Sequence, residues 1–371
     1  MIINVFGDFV TDESPNKIIL GDELKDSLNK ASFNICNFEG PVAGVGIPIK
    51  KSGPNLSIHA DSPSWLKKNN FNIVTLANNH IMDYGEEALF TTLKNLQEIN
   101  AIGAGTWENA YKPLIIEQEG KKIAFIALTH CEFGTLTDQY DKRHTCGTAW
   151  INHDNVNTII LNLKKETDYI IVLAHCGYEH LEQPLPEWRT RYKSLIDCGC
   201  DIVIASHPHI IQGYETYKGK PIFYSLGNFF FPHNYSGKDS WAYSLCVEID
   251  INDSISFKIH PIHFNTDSID ICKKNDSIYT YIENVNAVLS NYTDYISYIN
   301  EECDKLLNLY YPRLETNRKL RLSEMFLEKI GLTIHPIDYR LHDVLSILNN
   351  FRCESHRWCI ARALKNRYGI Q

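Results

Sequence analysis

The sequence predicts a layered α/β protein with a helical C-terminal extension. Three observations predict it. Short apolar runs recur along the first 265 residues, each closed by glycine, proline or a polar residue. Amphipathic stretches with helical spacing alternate with them. Past residue 265 the strand-like runs stop and helical periods take over.

The strand-like runs are residues 2–6, 35–37, 73–76, 122–128, 169–174, 202–205 and 222–225. They are rich in Ile, Val and Phe, which suit a pleated and buried surface. Between them, a short pattern around Leu66, then 86–99, 155–165 and Pro186–Asp197 carry apolar residues at helical spacing. Pro186 stands at a first helical position, where its missing N–H costs nothing. Residues 243–250 and 254–264 read as a hairpin turning at Asn252 and Asp253, with charged residues alternating on one face. The tail reads as helices at 281–307, 320–329, 341–349 and 354–367. The expected division is therefore 1–265 and 266–371.

Composition narrows the class. The chain has 371 residues, 44% of them hydrophobic, enough for a large core. Its net charge of -9 argues against a nucleic-acid coat, so nucleic acid is not expected as a partner. The last 61 residues hold 11 Lys and Arg against 6 Asp and Glu, a local +5 on a body of -14. That tail reads either as packing within the molecule or between subunits, or as recognition of an anionic ligand or partner. Eleven cysteines, an odd number without a CxxC pair, indicate reduced structural thiols in a reducing compartment, here the cytoplasm. The opening MIINVFGDF is strand-like and unlike a signal peptide, and no window suits a membrane span.

The chemistry sits where the strands end, the position at which α/β sheets build sites. Successive strands run into Gly7-Asp8, Asn37-Phe38-Glu39, Asn78-Asn79-His80 with Asp83, His175 with Glu179 and His180, Ser206-His207-Pro208-His209, and Gly227-Asn228. One histidine at a strand end is usually structural. Six strands ending this way would bury carboxylates and imidazoles together at high cost, unless a cation joins them. Carboxylate oxygens, an amide oxygen and neutral imidazoles suit Mn, Zn or Fe. Cys176 is not expected as a ligand, because in an extended strand it faces away from His175. In an extended His207-Pro208-His209 the two imidazoles point the same way, one for each ion of a close pair.

The segments GDFVTD (7–12), NFEGP (37–41), LANNHIMDYG (76–85), AIGAG (101–105), AHCGYEH (174–180), SHPHIIQ (206–212) and YSLGNFFF (224–231) together resemble the capsule-synthesis proteins typified by the poly-gamma-glutamate capsule protein CapA, within the calcineurin-like metallophosphatase superfamily. The resemblance covers roughly residues 1–235. It implies a calcineurin-like α/β/β/α sandwich. It also implies one or two divalent ions, of Mn, Zn or Fe. By resemblance the ligands of one ion are Asp8, Glu39 and His209, and those of the other Glu39, Asn79, His175 and His207. Val10 stands where the family pattern has a further histidine. His80 matches the histidine that contacts the phosphate. Asp12 and Asp83 are candidate helpers, and Asp83 has a second reading as the cap of a helix beginning near Tyr84. Glu179 and His180 would lie behind the ligands. Asn228 either touches the ligand or ties a loop. The segment 42–58 reads as a loop over the site, its Lys50 and Lys51 either solvated or facing an anionic substrate.

The leading function so implied is a metal-dependent hydrolase that cleaves a phosphoester through a metal-bridged hydroxide, with catalytic roles for His80, Asp83 and Glu179. The second is an accessory protein in the synthesis of poly-gamma-glutamate or another anionic capsule polymer, and the third a non-catalytic metal-binding scaffold. The expected partner is an anionic small molecule or polymer, with a homo-oligomer or protein contact through the helical tail.

Overall fold

The structure is a computed structural model that describes residues 1–141, 145–233, 237–252, 254–314 and 341–370. The helix expected at 320–329 and the turn residue Asp253 lie outside the described residues.

Two large sheets lie face to face. The first has nine strands: β1 (Ile2–Phe9), β2 (Ile19–Leu20), β3 (Phe33–Phe38), β4 (Ile73–Thr75), β5 (Asn100–Ile102), β15 (Asn228–Phe230), β16 (Tyr243–Ile251), β17 (Ile255–Phe264) and β18 (Ser268–Ile271). Their order is β2-β18-β17-β16-β1-β3-β4-β5, with β15 also pairing β1. The second sheet runs β13 (Tyr214–Tyr217), β14 (Lys220–Phe223), β12 (Ile202–Ser206), β11 (Tyr169–His175), β8 (Lys121–Thr129) and β7 (Leu114–Gln118). Three short strands, β6 (Ala104–Thr106), β9 (Thr135–Leu136) and β10 (Cys146–Ala149), form a small third sheet.

Burial explains the layering. Strand residues alternate faces, so Ile3, Val5, Ile35 and Ile73 of the first sheet meet Ile123, Phe125, Ile171, Leu173 and Ile204 of the second in one apolar layer. The opposite face of the first sheet packs on α1 (Asp22–Lys30), α2 (Ser62–Lys68) and α3 (Gly85–Asn95) through Leu24, Leu28, Trp65, Leu66 and Leu89. The opposite face of the second packs on α5 (Asp154–Glu166), which follows the short α4 (Trp107–Ala110), and on α6 (Pro186–Asp197), through Val156, Ile160, Trp188, Tyr192 and Leu195. Each wholly buried Ile, Leu or Phe in these layers is worth about 1.5–3 kcal/mol of hydrophobic transfer. The chain thus has the α/β/β/α sandwich expected of it.

The tail is α7 (Ser277–Ser290), α8 (Tyr292–Leu314), α9 (Leu341–Arg352) and α10 (Glu354–Tyr368). The expected single helix over 281–307 is two helices, broken at Asn291, whose carboxamide bonds Asp294 and Thr293. Residue 265 falls between β17 and β18, and β18 pairs with both β17 and β2. The tail packs within the molecule. Tyr295, Ile299 and Cys303 of α8 and Cys359 and Ala363 of α10 join the outer layer of the second sheet. Arg362 bonds Glu187 at 2.8 Å, and the Trp188 indole donates to Ser355 at 2.8 Å. All eleven cysteines are free thiols, nine of them buried. Among the described residues no helix is long and apolar enough to cross a membrane.

Candidate metal centre

The parallel strands β1, β3 and β4 of one sheet and β8, β11 and β12 of the other bring their carboxyl ends to one edge of the sandwich. Register places the groups there. Asp8 lies opposite Asn37 on β3 and opposite Asn228 on β15. Gly7 allows that approach, because a Cβ at this position would sit 1.8 Å from the Gly227 carbonyl oxygen.

Two clusters of ligand-type atoms result, Glu39 with His175 and His207, and Asp8 with Glu39 and His209. Within each, all atoms lie inside 4.8 Å of one another. Glu39 belongs to both. Asn79 adds its carboxamide oxygen 2.9 Å from His175 Nε2. All six residues resembling ligands are therefore in one place, and all are buried. Val10 is buried in the apolar layer behind β1 and offers nothing to the cluster. Cys176 packs in the outer layer of the second sheet, on the far side from His175.

The two final histidines arrive by a different route from the one their spacing suggests. The segment past β12 is not extended. His207 has φ of 102° and His209 of 58°, both in the left-handed region that non-glycine residues avoid. Each such residue costs on the order of 1–3 kcal/mol, a strain that packing must hold in place. The Asp8 carboxylate accepts the His207 backbone N–H at 3.3 Å, and Asn228 holds His209, with Oδ1 2.9 Å from Nδ1 and Nδ2 donating to the His209 carbonyl. Asn228 therefore ties the loop.

Hydrogen bonding in the pocket is incomplete. Both oxygens of Glu39 are buried and accept no hydrogen bond. The nearest basic atoms are His175 Nε2 at 3.3 Å and His209 Nε2 at 3.8 Å. Burial alone would make both histidines shed their protons. The charge of Glu39 and bonds to Asp8 instead raise His175 to about 9 and His209 to about 10. Burial alone would raise the Asp8 carboxyl, yet bonds from His175 and His209 hold it well below the usual range. His207, buried beside His130 and His175, is pushed well down. Two buried carboxylates draw positive charge toward themselves here, and a cation can take the place of those protons. The orphaned Glu39 oxygens and the oxygen and imidazole donors fit a divalent metal.

His80 sits beside this centre. Its Nδ1 is 2.6 Å from Asp83 Oδ2, and Lys51 Nζ is 2.5 Å from Asp83 Oδ1. Asp83 is wholly buried and also accepts the Leu56 backbone N–H at 2.7 Å. Its carboxylate accepts no N–H from the first turn of the helix after Tyr84 among the described contacts. The loop 42–58 packs beside His80 and Asp83, with Lys51 Nζ 3.0 Å from His80 Nδ1. Lys51 reaches inside, and Lys50 is exposed. Asp12 is exposed and accepts the Glu13 backbone N–H, outside both clusters. Glu179 lies at the rim, exposed, and clusters with His207 and His209. The neighbouring His209 and His180 hold its carboxyl below the usual range. A cavity of about 420 Å³ opens beside Glu179, walled by Tyr178 and His180 and by Asn349, Asn350 and His356 of the tail.

The sequence reading passed over Asn37 and Asn78. Asn37 donates to Asp8 at 2.8 Å and lies 3.0 Å from His175 Nδ1, orienting both. Asn78 donates to Asn37 and the Phe38 carbonyl, and accepts the His80 and Ile81 N–H groups, so it locks the loop. Their only signal was a place inside the NFEGP and LANNH segments.

Relatives with curated names match the same part of the chain. The PGA biosynthesis protein CapA of Bacillus subtilis is 32% identical over 205 residues, covering 54% of this chain and 53% of the relative. The capsule biosynthesis protein CapA of Bacillus anthracis is 29% identical over 224 residues, covering 57% and 54%. The chain thus spans about half the length of these relatives. Among solved structures, a putative 5'-nucleotidase from Staphylococcus aureus overlaps 76% of this chain and 57% of its own at 17% identity, with a TM-score of 0.46, too loose a likeness to argue from. The profile of the bacterial capsule synthesis protein PGA_cap matches residues 3–233, more than half of the chain and all of the metal centre, and the chain belongs to that family.

Proposed function

We propose that the chain is a metal-dependent hydrolase of phosphoesters. The observation that carries this reading is Glu39, a buried carboxylate without a hydrogen-bond donor, shared by two clusters of metal-ligand atoms. Asp8, Glu39 and His209 would hold one divalent ion, and Glu39, Asn79, His175 and His207 a second, with Mn, Zn or Fe suited to these donors. When bound, such ions supply Lewis-acid polarisation of a phosphoryl oxygen and ease the ionisation of water. The chain's own residues do the rest. Asp83 fixes the proton of His80 on Nδ1, which turns Nε2 toward the substrate side to stabilise the phosphoryl group or protonate the leaving oxygen. Lys51 balances the Asp83 charge. Glu179 at the rim takes the proton shed by water. Residues 1–265 carry this chemistry, and residues 266–371 wall the adjoining cavity. The free thiols support a reducing compartment, the cytoplasm.

The test is a panel of phosphomonoesters and diesters, with and without chelator, beside metal analysis. One or two first-row ions per chain and chelator-sensitive turnover are expected. Less than half an ion after Mn or Zn is supplied, or no turnover of any ester in the loaded protein, would sink the reading.

A second reading is favoured by the names of the relatives: the substrate is an anionic polymer such as poly-gamma-glutamate. Cleavage or saturable binding of that polymer by a protein inert toward phosphoesters would select it.

A further inference from the structure

Beside the family site lies a second group of metal-type ligands, half of it built by the tail. His130 directly follows β8 and is wholly buried, yet neither ring nitrogen has a hydrogen-bond partner among the described residues. An imidazole so placed forfeits the bonds it makes in water, which a bound cation would restore. Its Nε2 is 3.6 Å from Glu132 Oε1. Cys353, at the N-cap of α10, is buried. One ligand-type atom from each of His130, Glu132 and Cys353 falls within 4.8 Å of the others.

We propose that His130, Glu132 and Cys353 form a separate zinc-class cation site that staples the start of α10 to the loop after β8.

The donor chemistry selects the ion. Imidazole nitrogen, carboxylate oxygen and thiolate sulfur together suit zinc, and hard ions such as Mg and Ca avoid sulfur. Ligand atoms around a tetrahedral zinc lie on the order of 3.5 Å apart, and the His130–Glu132 separation is 3.6 Å. Zinc would displace the Cys353 thiol proton to solvent and give His130 the partner it lacks. The site is distinct from the Glu39 pair, since it shares no ligand with it, although the rings of His130 and His207 are 4.3 Å apart. Neighbouring contacts already hold the same junction. Glu354, the next residue, accepts the Cys131 backbone N–H, the Trp150 indole and the Asn152 carboxamide. Cys353 lies beyond the 3–233 stretch that defines the family, so the staple belongs to this chain's own tail. It would fix α9 and α10, which wall the cavity beside Glu179.

Cobalt reports thiolate ligation directly, because a cobalt–sulfur bond gives an intense near-ultraviolet charge-transfer band that nitrogen and oxygen ligands do not. The full chain is loaded with Co(II) alone. The expected result is a band in the wild type, its persistence in Glu39→Gln, and its loss in Cys353→Ser together with about one ion per chain. The wild-type spectrum decides by itself if a variant fails to fold: no band in the loaded wild type overturns the proposal. So does a band that survives in Cys353→Ser. The result does not depend on turnover, so it stands or falls apart from the hydrolase reading.

Discussion

Two carboxylates of the second half-layer and the site show opposite designs. Glu215 on β13 is saturated. Arg189 grips it with two bonds of 2.7 Å, Tyr224 donates at 2.5 Å, and Lys193 lies 3.1 Å away. Glu39 is more deeply buried and accepts nothing. A buried carboxylate that accepts no hydrogen bond is costly, whereas one gripped at the surface edge is a net stabiliser. The difference separates a residue kept for the fold from one kept for what it binds.

The largest expected effect tests the Glu39 side. Glu39→Gln should lower turnover by about a thousandfold, on the scale of losing an electrostatic stabiliser and its cation together. Its melting temperature in chelator should not fall, because the change removes a buried charge that accepts no hydrogen bond. A clear drop would show that Glu39 serves the fold. Next, Asp83→Asn should lower kcat about a hundredfold by freeing the His80 tautomer, with metal content unchanged by elemental analysis. Lost metal would place Asp83 among the ligands. Glu215→Gln should do the reverse of Glu39→Gln, costing about 2 kcal/mol in denaturant unfolding and leaving turnover alone.

Acid sharpens the same contrast. Burial would raise the Glu215 carboxyl, but the Arg189 and Tyr224 bonds bring it down to about 2, from a usual 4.5. A carboxyl depressed by folding stabilises fully above its unfolded value and loses that contribution as pH falls toward the folded one. The stability gap between wild type and Glu215→Gln should therefore narrow from pH 4.5 to pH 2, by at most about 3 kcal/mol. A gap constant with pH would mean packing, not charge. The smallest effect is Lys50→Ala, exposed on the loop 42–58, expected within about 0.5 kcal/mol in stability and without effect on turnover.

Much of this was legible before any coordinates. Strand-end residues such as Asp8, Glu39, His175 and His209 stood out because a parallel sheet leaves its carboxyl ends open to one edge, and Pro186 marked the start of α6 to the residue. Local sequence does not encode pairing between distant strands. The insertion of β15 beside β1, and so the role of Asn228, depends on register across 220 residues. The left-handed turns at His207 and His209 were hidden for another reason: nothing in a histidine announces positive φ, and the strain is held by Asp8 and Asn228 from elsewhere. Nothing in the sequence singles out His130, because its lack of hydrogen-bond partners depends on its surroundings.

The loop 42–58 and His80 share one fastening point, the Asp83 carboxylate. Asp83 fastens the loop through Lys51, the Leu56 N–H and, by its backbone carbonyl, the Ile49 N–H, and the same carboxylate aims His80. Any displacement of this loop would draw away the groups that steady Asp83, so the loop's position and the setting of His80 would change together.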